Sequence, residues 1–164
     1  MSITFSPAVP ADAYEIAVMS RCLIEIGLCG WSWHPERVAK SIRARDTNGL
    51  VAEIRGDMIG FALMEFGDTR AHLSLLAVKP AWQRRGTGRQ MMEWLEESAL
   101  AAGIATIGLE LRVNNFGARS FYHALGYRER TCISGYYQGT ETALRMSRDI
   151  RRQIPDLNRP IESR

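Results

Sequence analysis

Between residues 73 and 89 an apolar run closing on Leu76, Ala77 and Val78 gives way to Lys79-Pro80, and then to Gln83-Arg84-Arg85-Gly86-Thr87-Gly88-Arg89. Beyond it the apolar residues recur at helical period. A buried strand thus runs into a glycine-containing loop that opens a helix. The first amides of a helix have no partner inside it, and the helix dipole adds partial positive charge there. Glycine lets a ligand come close to the backbone, and Arg84, Arg85 and Arg89 add full charges. That combination suits phosphate groups. Two phosphate motifs do not fit. A nucleoside triphosphate loop reads Gly-Lys-Ser/Thr where this chain has Gly88-Arg89-Gln90, and a dinucleotide fingerprint needs a third glycine where Met91 stands. A helix start whose glycines serve packing alone is the plainer reading.

Two further residues break their local pattern. Ile107, Leu109 and Leu111 share one face of a strand, and Glu110 points to the other. A solvated strand face is the ordinary explanation. Tyr122 lies on the apolar face of a helix with Ala118, Phe121 and Leu125. Core packing explains its ring, but its hydroxyl still wants a partner. His34, His72 and His123 are isolated, without metal-ligand spacing, and read as structural or surface residues. Cys22, Cys29 and Cys132 are an odd number without a CxxC pair, which fits free thiols in a reducing compartment and neither a disulfide framework nor zinc.

The elements that must position these residues follow from pattern and composition. The chain has 164 residues, 46% hydrophobic and 24% charged, the balance of one globular domain. This excludes a disordered chain, a collagen-like repeat and a coiled coil. No apolar run approaches the ~18 residues of a membrane span, and the N-terminus lacks the form of a signal peptide. The cytoplasm is the expected location. A net charge of +3 is too small to argue for nucleic acid. The run Arg145, Arg148, Arg151 and Arg152 reads as a solvated strand end and tail.

Ile3 and Phe5 mark a first strand. Asp12 with Glu15 forms a capping-box pattern before a helix stopped at Gly27, and Trp31 and Trp33 fall in the following loop. Pro35 opens a second helix that Asn48-Gly49 ends. Strands over 50–54, 58–66 and 71–78, joined by turns at Gly56-Asp57 and Gly67-Asp68, form an antiparallel meander. A helix over 88–102, a strand over 105–111, a helix over 116–125 and strands over 127–133 and 140–148 complete one domain, residues 1–150. Residues 151–164 read as a loose polar tail. The fold class is α/β (α+β): a mixed, mostly antiparallel twisted sheet of about seven strands with about four helices on its faces, the later strands locally parallel through strand-helix-strand crossovers.

Gln83-x-x-Gly86-x-Gly88 after Leu76-Ala77-Val78 resembles the acetyl-CoA-binding motif of the GNAT acetyltransferase superfamily, and the element order over residues 3–150 is the GNAT order. The resemblance implies that the amides of Arg84, Arg85, Gly86, Thr87, Gly88 and Arg89 hold the pyrophosphate of acetyl-CoA. It implies that the backbone of Leu76, Ala77 and Val78 holds the pantetheine arm and thioester carbonyl, and that Asn115 contacts the same arm. Leu109-Glu110-Leu111-Arg112, Asn115, the run from Phe121 to Tyr127 and Gly135-Tyr136-Tyr137 resemble the protein N-terminal acetyltransferases, in particular the bacterial ribosomal-protein alanine N-acetyltransferase group. By that resemblance Glu110 is a general base and Tyr122 a general acid. The loops carrying Trp31 and Trp33, and Tyr136 and Tyr137, flank the acceptor groove, with Trp33, Tyr136 and Tyr137 as substrate contacts. Thr142 stands where that group usually has an acidic residue.

The chemistry is consistent with those residue types. An α-amine of pKa ~8 costs about 1–1.5 kcal/mol to neutralise at pH 7, and a lysine amine about 4–5 kcal/mol. One carboxylate acting through water suits the α-amine better. A phenol can protonate a departing thiolate at close range. Cys132 has no activating neighbour, and GNAT transfer is direct. The expected function is metal-free transfer of acetyl from acetyl-CoA to a primary amine, above all a protein or peptide N-terminus, with no direct nucleic-acid or membrane partner. The alternatives are a small-molecule amine acetyltransferase and a non-catalytic acyl-CoA-binding module.

Overall fold

The computed structural model describes residues 2–151. The tail expected over 151–164 therefore lies outside the described residues except for Arg151. Three strands, β2 (Thr47–Ile54), β3 (Asp57–Phe66) and β4 (Arg70–Val78), form the meander, and β1 (Thr4–Pro7) pairs antiparallel with β2 at the edge. The turn between β2 and β3 falls on Arg55 and Gly56, both at positive φ (53° and 85°), and Asp57 already pairs with Ile54. It is one residue earlier than the sequence suggests, because a two-residue hairpin needs the left-handed conformation at both positions.

Two helices, α1 (Ala13–Leu23) and α2 (Pro35–Arg43), separate β1 from β2. Asp12 does not cap α1 with Glu15. Its carboxylate accepts from the Val9 amide at 2.8 Å and closes a short 3-10 turn ahead of the helix. Asn48-Gly49 does not end α2 but lies within β2, where Gly49 comes so near Ala8 that a Cβ would be 2.9 Å from the alanine methyl.

After β4, α3 (Thr87–Ala101) crosses back to β5 (Thr106–Arg112), which pairs parallel to β4. Then come α4 (Phe116–Ala124), β6 (Arg128–Tyr137) and β7 (Glu141–Asp149). The sheet order is β1-β2-β3-β4-β5-β7-β6. Strand β7 is inserted between β5 and β6, so the α4 crossover makes no parallel neighbours. Among the described residues the one parallel contact is β4 with β5, fewer than the two crossovers suggest.

Each face of the sheet has its own core. Ala62, Met64, Leu95 and Ile107 are buried toward α3 and α4, and Ile16, Phe61, Leu63 and Leu75 toward α1 and α2. A fully buried side chain of this size contributes roughly 1.5–3 kcal/mol. Strand β4 changes sides between them. Leu63 pairs with Leu75 but Met64 with Leu73, which leaves Ser74 as an extra residue. That bulge turns the strand over. Ala71 and Leu73 thus join the α3/α4 core, and Leu75 and Ala77 the other. Pairing of β4 with β5 stops at Leu73↔Leu109, although β4 runs on to Val78 and β5 to Arg112. The two strands therefore part in mid-sheet, and both sets of candidate residues stand around the opening. No helix among the described residues is long and apolar enough to cross a membrane.

Candidate active site

One side of the opening is backbone. The Lys79 amide donates to the Ile59 carbonyl of β3 at 2.7 Å. Backbone groups of alternate residues face opposite edges of a strand, so Leu75 and Ala77 face β3. Leu76 and Val78 then face the edge that β5 has left. The Gln83 side chain donates to the Val78 carbonyl at 2.8 Å, fixing the loop to that edge. Arg85 lies over the Trp82 ring at 5.0 Å. Gly86 precedes α3 at φ 84°, strained for any other residue, and Arg84 also has positive φ. The amides of Thr87, Gly88 and Arg89 form the first turn of α3, where helix geometry leaves donors without internal acceptors. Gly88 has a different reason to be small: a Cβ there would lie 3.2 Å from the Phe121 ring, so it lets α3 pack on α4. Asn115 caps α4, its Oδ1 accepting from the Ala118 amide at 3.2 Å. Its amide nitrogen has no partner among the described residues.

The other side is made of charged side chains. Thr106, Gly108, Glu110 and Arg112 are the β5 residues turned away from the α3/α4 core. The Glu110 carboxylate is engaged at both oxygens: Oε2 lies 2.5 Å from His72 Nε2, and Oε1 accepts from Arg145 Nε at 2.9 Å. Its side chain is only 9% exposed. Arg145 stands directly opposite Glu110 on β7, whereas His72 on β4 is paired with Gly108 and leans across it. Ser74 Oγ is 3.4 Å from the other ring nitrogen, His72 Nδ1. The hydrogen bond from His72 holds the Glu110 carboxyl below its ordinary range, with Arg145 acting in the same direction against partial burial. The same bond raises the His72 imidazole against its own burial. Each group thus favours the charged form of the other.

Two loops are tied together beside this cluster. The buried Glu25 accepts from the Ser32 amide at 2.8 Å and the Trp33 amide at 3.3 Å, which shapes the connection between α1 and α2. Arg37 lies over the Trp33 ring at 3.9 Å, and Trp31 Nε1 donates to the Ala17 carbonyl. Gln138, between β6 and β7, donates to the Cys29 carbonyl of the first loop. Arg112 donates to the Ile24 carbonyl at 3.1 Å and pairs with Glu141 at 3.4 Å. Tyr136 and Tyr137 meet edge to face at 4.9 Å. Burial raises both phenols, and the Glu110 charge adds to both. Tyr136 and Tyr137 end β6 instead of lying in the hairpin loop as the sequence suggests, because the strand runs four residues further than expected, and both feel the Glu110 charge; Trp33 lies on the facing loop, which Gln138 ties to β6 and β7.

Tyr122 is buried on the α3/α4 face, edge-on to Phe121 at 5.0 Å and Tyr127 at 5.6 Å. Its hydroxyl has no partner among the described residues. Burial pushes the phenol well up, so it holds its proton at neutral pH. Phe121 beside it packs at Gly88, and the Cβ position there is also 3.9 Å from Val78 Cγ2. Tyr122 thus belongs to the α4 turn behind the end of β4, and Glu110 approaches from the opposite face.

The sequence reading misses three members of this site. His72, read as structural or surface, is a partner of Glu110; its signal is its place out of phase with buried Ala71 and Leu73. Arg145 is exposed as expected but also engaged, and Arg148, away from this site, is buried. Arg145 holds Glu110, and Arg148, 8% exposed, donates to both oxygens of Glu96 at 3.0 Å. Glu25 carries no local signal. His34 caps α2 and His123 pairs with Glu129. The three cysteines are free and exposed. Among the described residues no His/Cys/Asp/Glu group is arranged to hold a metal.

Residues 17–127 match the acetyltransferase (GNAT) family. The chain is 37% identical over 109 residues to the [ribosomal protein bS18]-alanine N-acetyltransferase of Escherichia coli (strain K12), covering 66% of this chain and 73% of that one. The crystal structure of the E. coli ribosomal-protein-S18-alanine N-acetyltransferase superposes with a TM-score of 0.78 at 26% identity, over 97% of this chain and 99% of that one. The N-acetyltransferase paia from Thermoplasma acidophilum, solved in complex with coenzyme A, shares the fold with a TM-score of 0.77 at 21% identity, over 91% of this chain and 99% of that one.

Proposed function

The chain belongs to the GNAT acetyltransferase family and transfers acetyl from acetyl-CoA to an amine; from that premise we propose that the acceptor is the α-amine of a protein or peptide N-terminus, deprotonated by Glu110. The observation that carries this reading is the Glu110 carboxylate, fixed between His72 and Arg145 where β4 and β5 part. The relatives that act on the alanine of a ribosomal protein support a polypeptide acceptor.

In this reading acetyl-CoA lies along the free edge of β4. Its pyrophosphate sits at the start of α3, where Thr87, Gly88 and Arg89 offer amides and Arg84, Arg85 and Arg89 offer charge. The ammonium proton passes through water to the Glu110–His72 pair. The freed amine attacks the thioester carbon. The oxyanion is held by β4 amides near Val78. The C–S bond then breaks, and Tyr122 gives its proton to the thiolate. The remaining extra proton on the former amine nitrogen passes through water to the Tyr122 phenolate, leaving the amide and free CoA. Burial raises Tyr122, but it raises a thiol in the same apolar pocket too, so donation remains possible. Asn115 meets the pantetheine arm through its amide nitrogen. Tyr136, Tyr137 and Trp33 line the entry of the acceptor.

The test is acetyl-CoA-dependent CoA release on peptides with a free N-terminus, a blocked N-terminus, or a blocked N-terminus with an internal lysine. Turnover that requires the free N-terminus is expected. Turnover of the blocked lysine peptide, or of none of the three, would move the acceptor to another amine.

A further inference from the structure

Arg112 stands two places after Glu110 on the same face of β5, about 7 Å along the strand. Three other elements meet its guanidinium. Nη2 donates to the Ile24 carbonyl at the end of α1 (3.1 Å), and Nε lies 3.4 Å from Glu141 Oε2 at the start of β7. Tyr137, at the end of β6, has its ring centre 5.9 Å from the guanidinium carbon. The Arg112 side chain is 18% exposed. A second tie to the α1–α2 connection, from Gln138 to the Cys29 carbonyl, has an exposed donor. Arg112 is thus the more enclosed of the two fastenings between the loop of Trp33 and the strand of Glu110.

A positive charge at this place has a cost. Glu110 already faces Arg145 and His72, so protonation of His72 sets two cations against one carboxylate. An acceptor α-amine of pKa ~8 arrives mainly as ammonium at pH 7. A third, unmatched cation about 7 Å from the base would oppose its arrival. Thr142 is uncharged, so the match for Arg112 comes from its neighbour Glu141. The two partners differ in exposure. Glu141, 36% exposed, can be hydrated without Arg112, whereas Arg112 without Glu141 is a largely enclosed charge.

We propose that Arg112 is a positioning residue for the acceptor, and that Glu141 is the counter-charge that lets a guanidinium stand beside an arriving ammonium. Arg112 holds the loop of Trp33 through Ile24 and packs on Tyr137, so it fixes both sides of the acceptor entry. Glu141 cancels its charge. The inference rests on the reading of Glu110 as the base for an N-terminal amine. Neither residue touches the reacting atoms in that reading. Both therefore act on the binding of the acceptor and not on the chemical step or on acetyl-CoA.

The test measures kcat and both KM values with a free-N-terminus peptide in the wild type, in Glu141→Gln and in the double variant Arg112→Gln/Glu141→Gln. Glu141→Gln keeps the tie to Ile24 but leaves the guanidinium unmatched. Its acceptor KM should rise roughly tenfold in low salt and return most of the way in high salt. The double variant loses the tie and both charges. Its acceptor KM should rise about fivefold, equally in low and high salt. In both, kcat should stay within about twofold of the wild type, as for lost binding that is uniform along the reaction, and KM for acetyl-CoA should not move. An unchanged acceptor KM in Glu141→Gln, a rise that ignores salt, or a loss that appears in kcat would overturn the inference and leave the N-terminal reading standing. If the double variant does not fold, Glu141→Gln decides alone. A wild type that turns over no free-N-terminus peptide would defeat both.

Discussion

The two sides of the β4–β5 opening are built from different materials. On the side proposed for acetyl-CoA, the donor side, Leu76, Val78 and the first turn of α3 present backbone, and their neighbours Gly86 and Gly88 matter for having no side chain. On the side proposed for the amine, the acceptor side, Glu110, His72 and Arg145 present side chains drawn from three strands, and each depends on the others. A backbone site tolerates changes of residue type as long as the chain keeps its path, which suits a co-substrate that is always the same. A side-chain site is altered by single substitutions, and that is where a choice among acceptors can be encoded.

The strongest way to break this division is at Glu110. Glu110→Gln should lower kcat by roughly 10²–10⁴-fold, and Tyr122→Phe should do so within the same range. Both should keep acetyl-CoA affinity: Glu110 stands across the opening from the β4 edge, and Tyr122→Phe removes a hydroxyl but keeps the ring that packs behind that edge. Steady-state kinetics beside calorimetric titration with acetyl-CoA separates the two quantities. Loss of acetyl-CoA binding in Glu110→Gln would show that the two sides are not independent.

The donor side should fail in the opposite manner. Gly88→Leu drives a side chain into the Phe121 ring, and overpacking of this kind costs about 1–3 kcal/mol. Thermal unfolding should register the loss, and KM for acetyl-CoA should rise. Arg89→Ala should act more gently, raising that KM by roughly two- to fivefold with kcat kept, as for an exposed charge pair. Repeating the assay in high salt should bring the two enzymes together.

Legibility in the sequence follows the same division. The donor side is contiguous: strand, Gln83, Gly86 and helix follow one another within a dozen residues, so local pattern is enough to find them. The hairpins and the change of period at the third helix are equally local, which is why the seven strands and four helices can be placed to within a few residues. The acceptor side is assembled across the sheet. His72 and Glu110 are 38 residues apart, and their contact depends on a parallel register that only packing sets. Arg145 faces Glu110 because β7 is inserted between β5 and β6, a choice that no turn residue announces. The bulge at Ser74 leaves the alternation of apolar residues along β4 intact while moving Leu75 and Ala77 to the other core. Glu110 itself is visible as a carboxylate out of phase with its strand, but its partners are not.

The pH dependence of kcat in the wild type and in His72→Gln tests most directly whether the acceptor side works as one unit. In the wild type, protonated His72 locks Glu110 into an ion pair, and its pKa is raised above 6.5. Below that raised value the pair cannot take a further proton readily. The rate should therefore climb as pH rises through a limb above 6.5. Without the imidazole, Glu110 is left to Arg145, which by itself lowers a carboxyl. The limb should then leave the neutral range and kcat should be nearly flat from pH 6 to 8. An identical limb in both enzymes would contradict the pairing and leave Glu110 as a base that works alone.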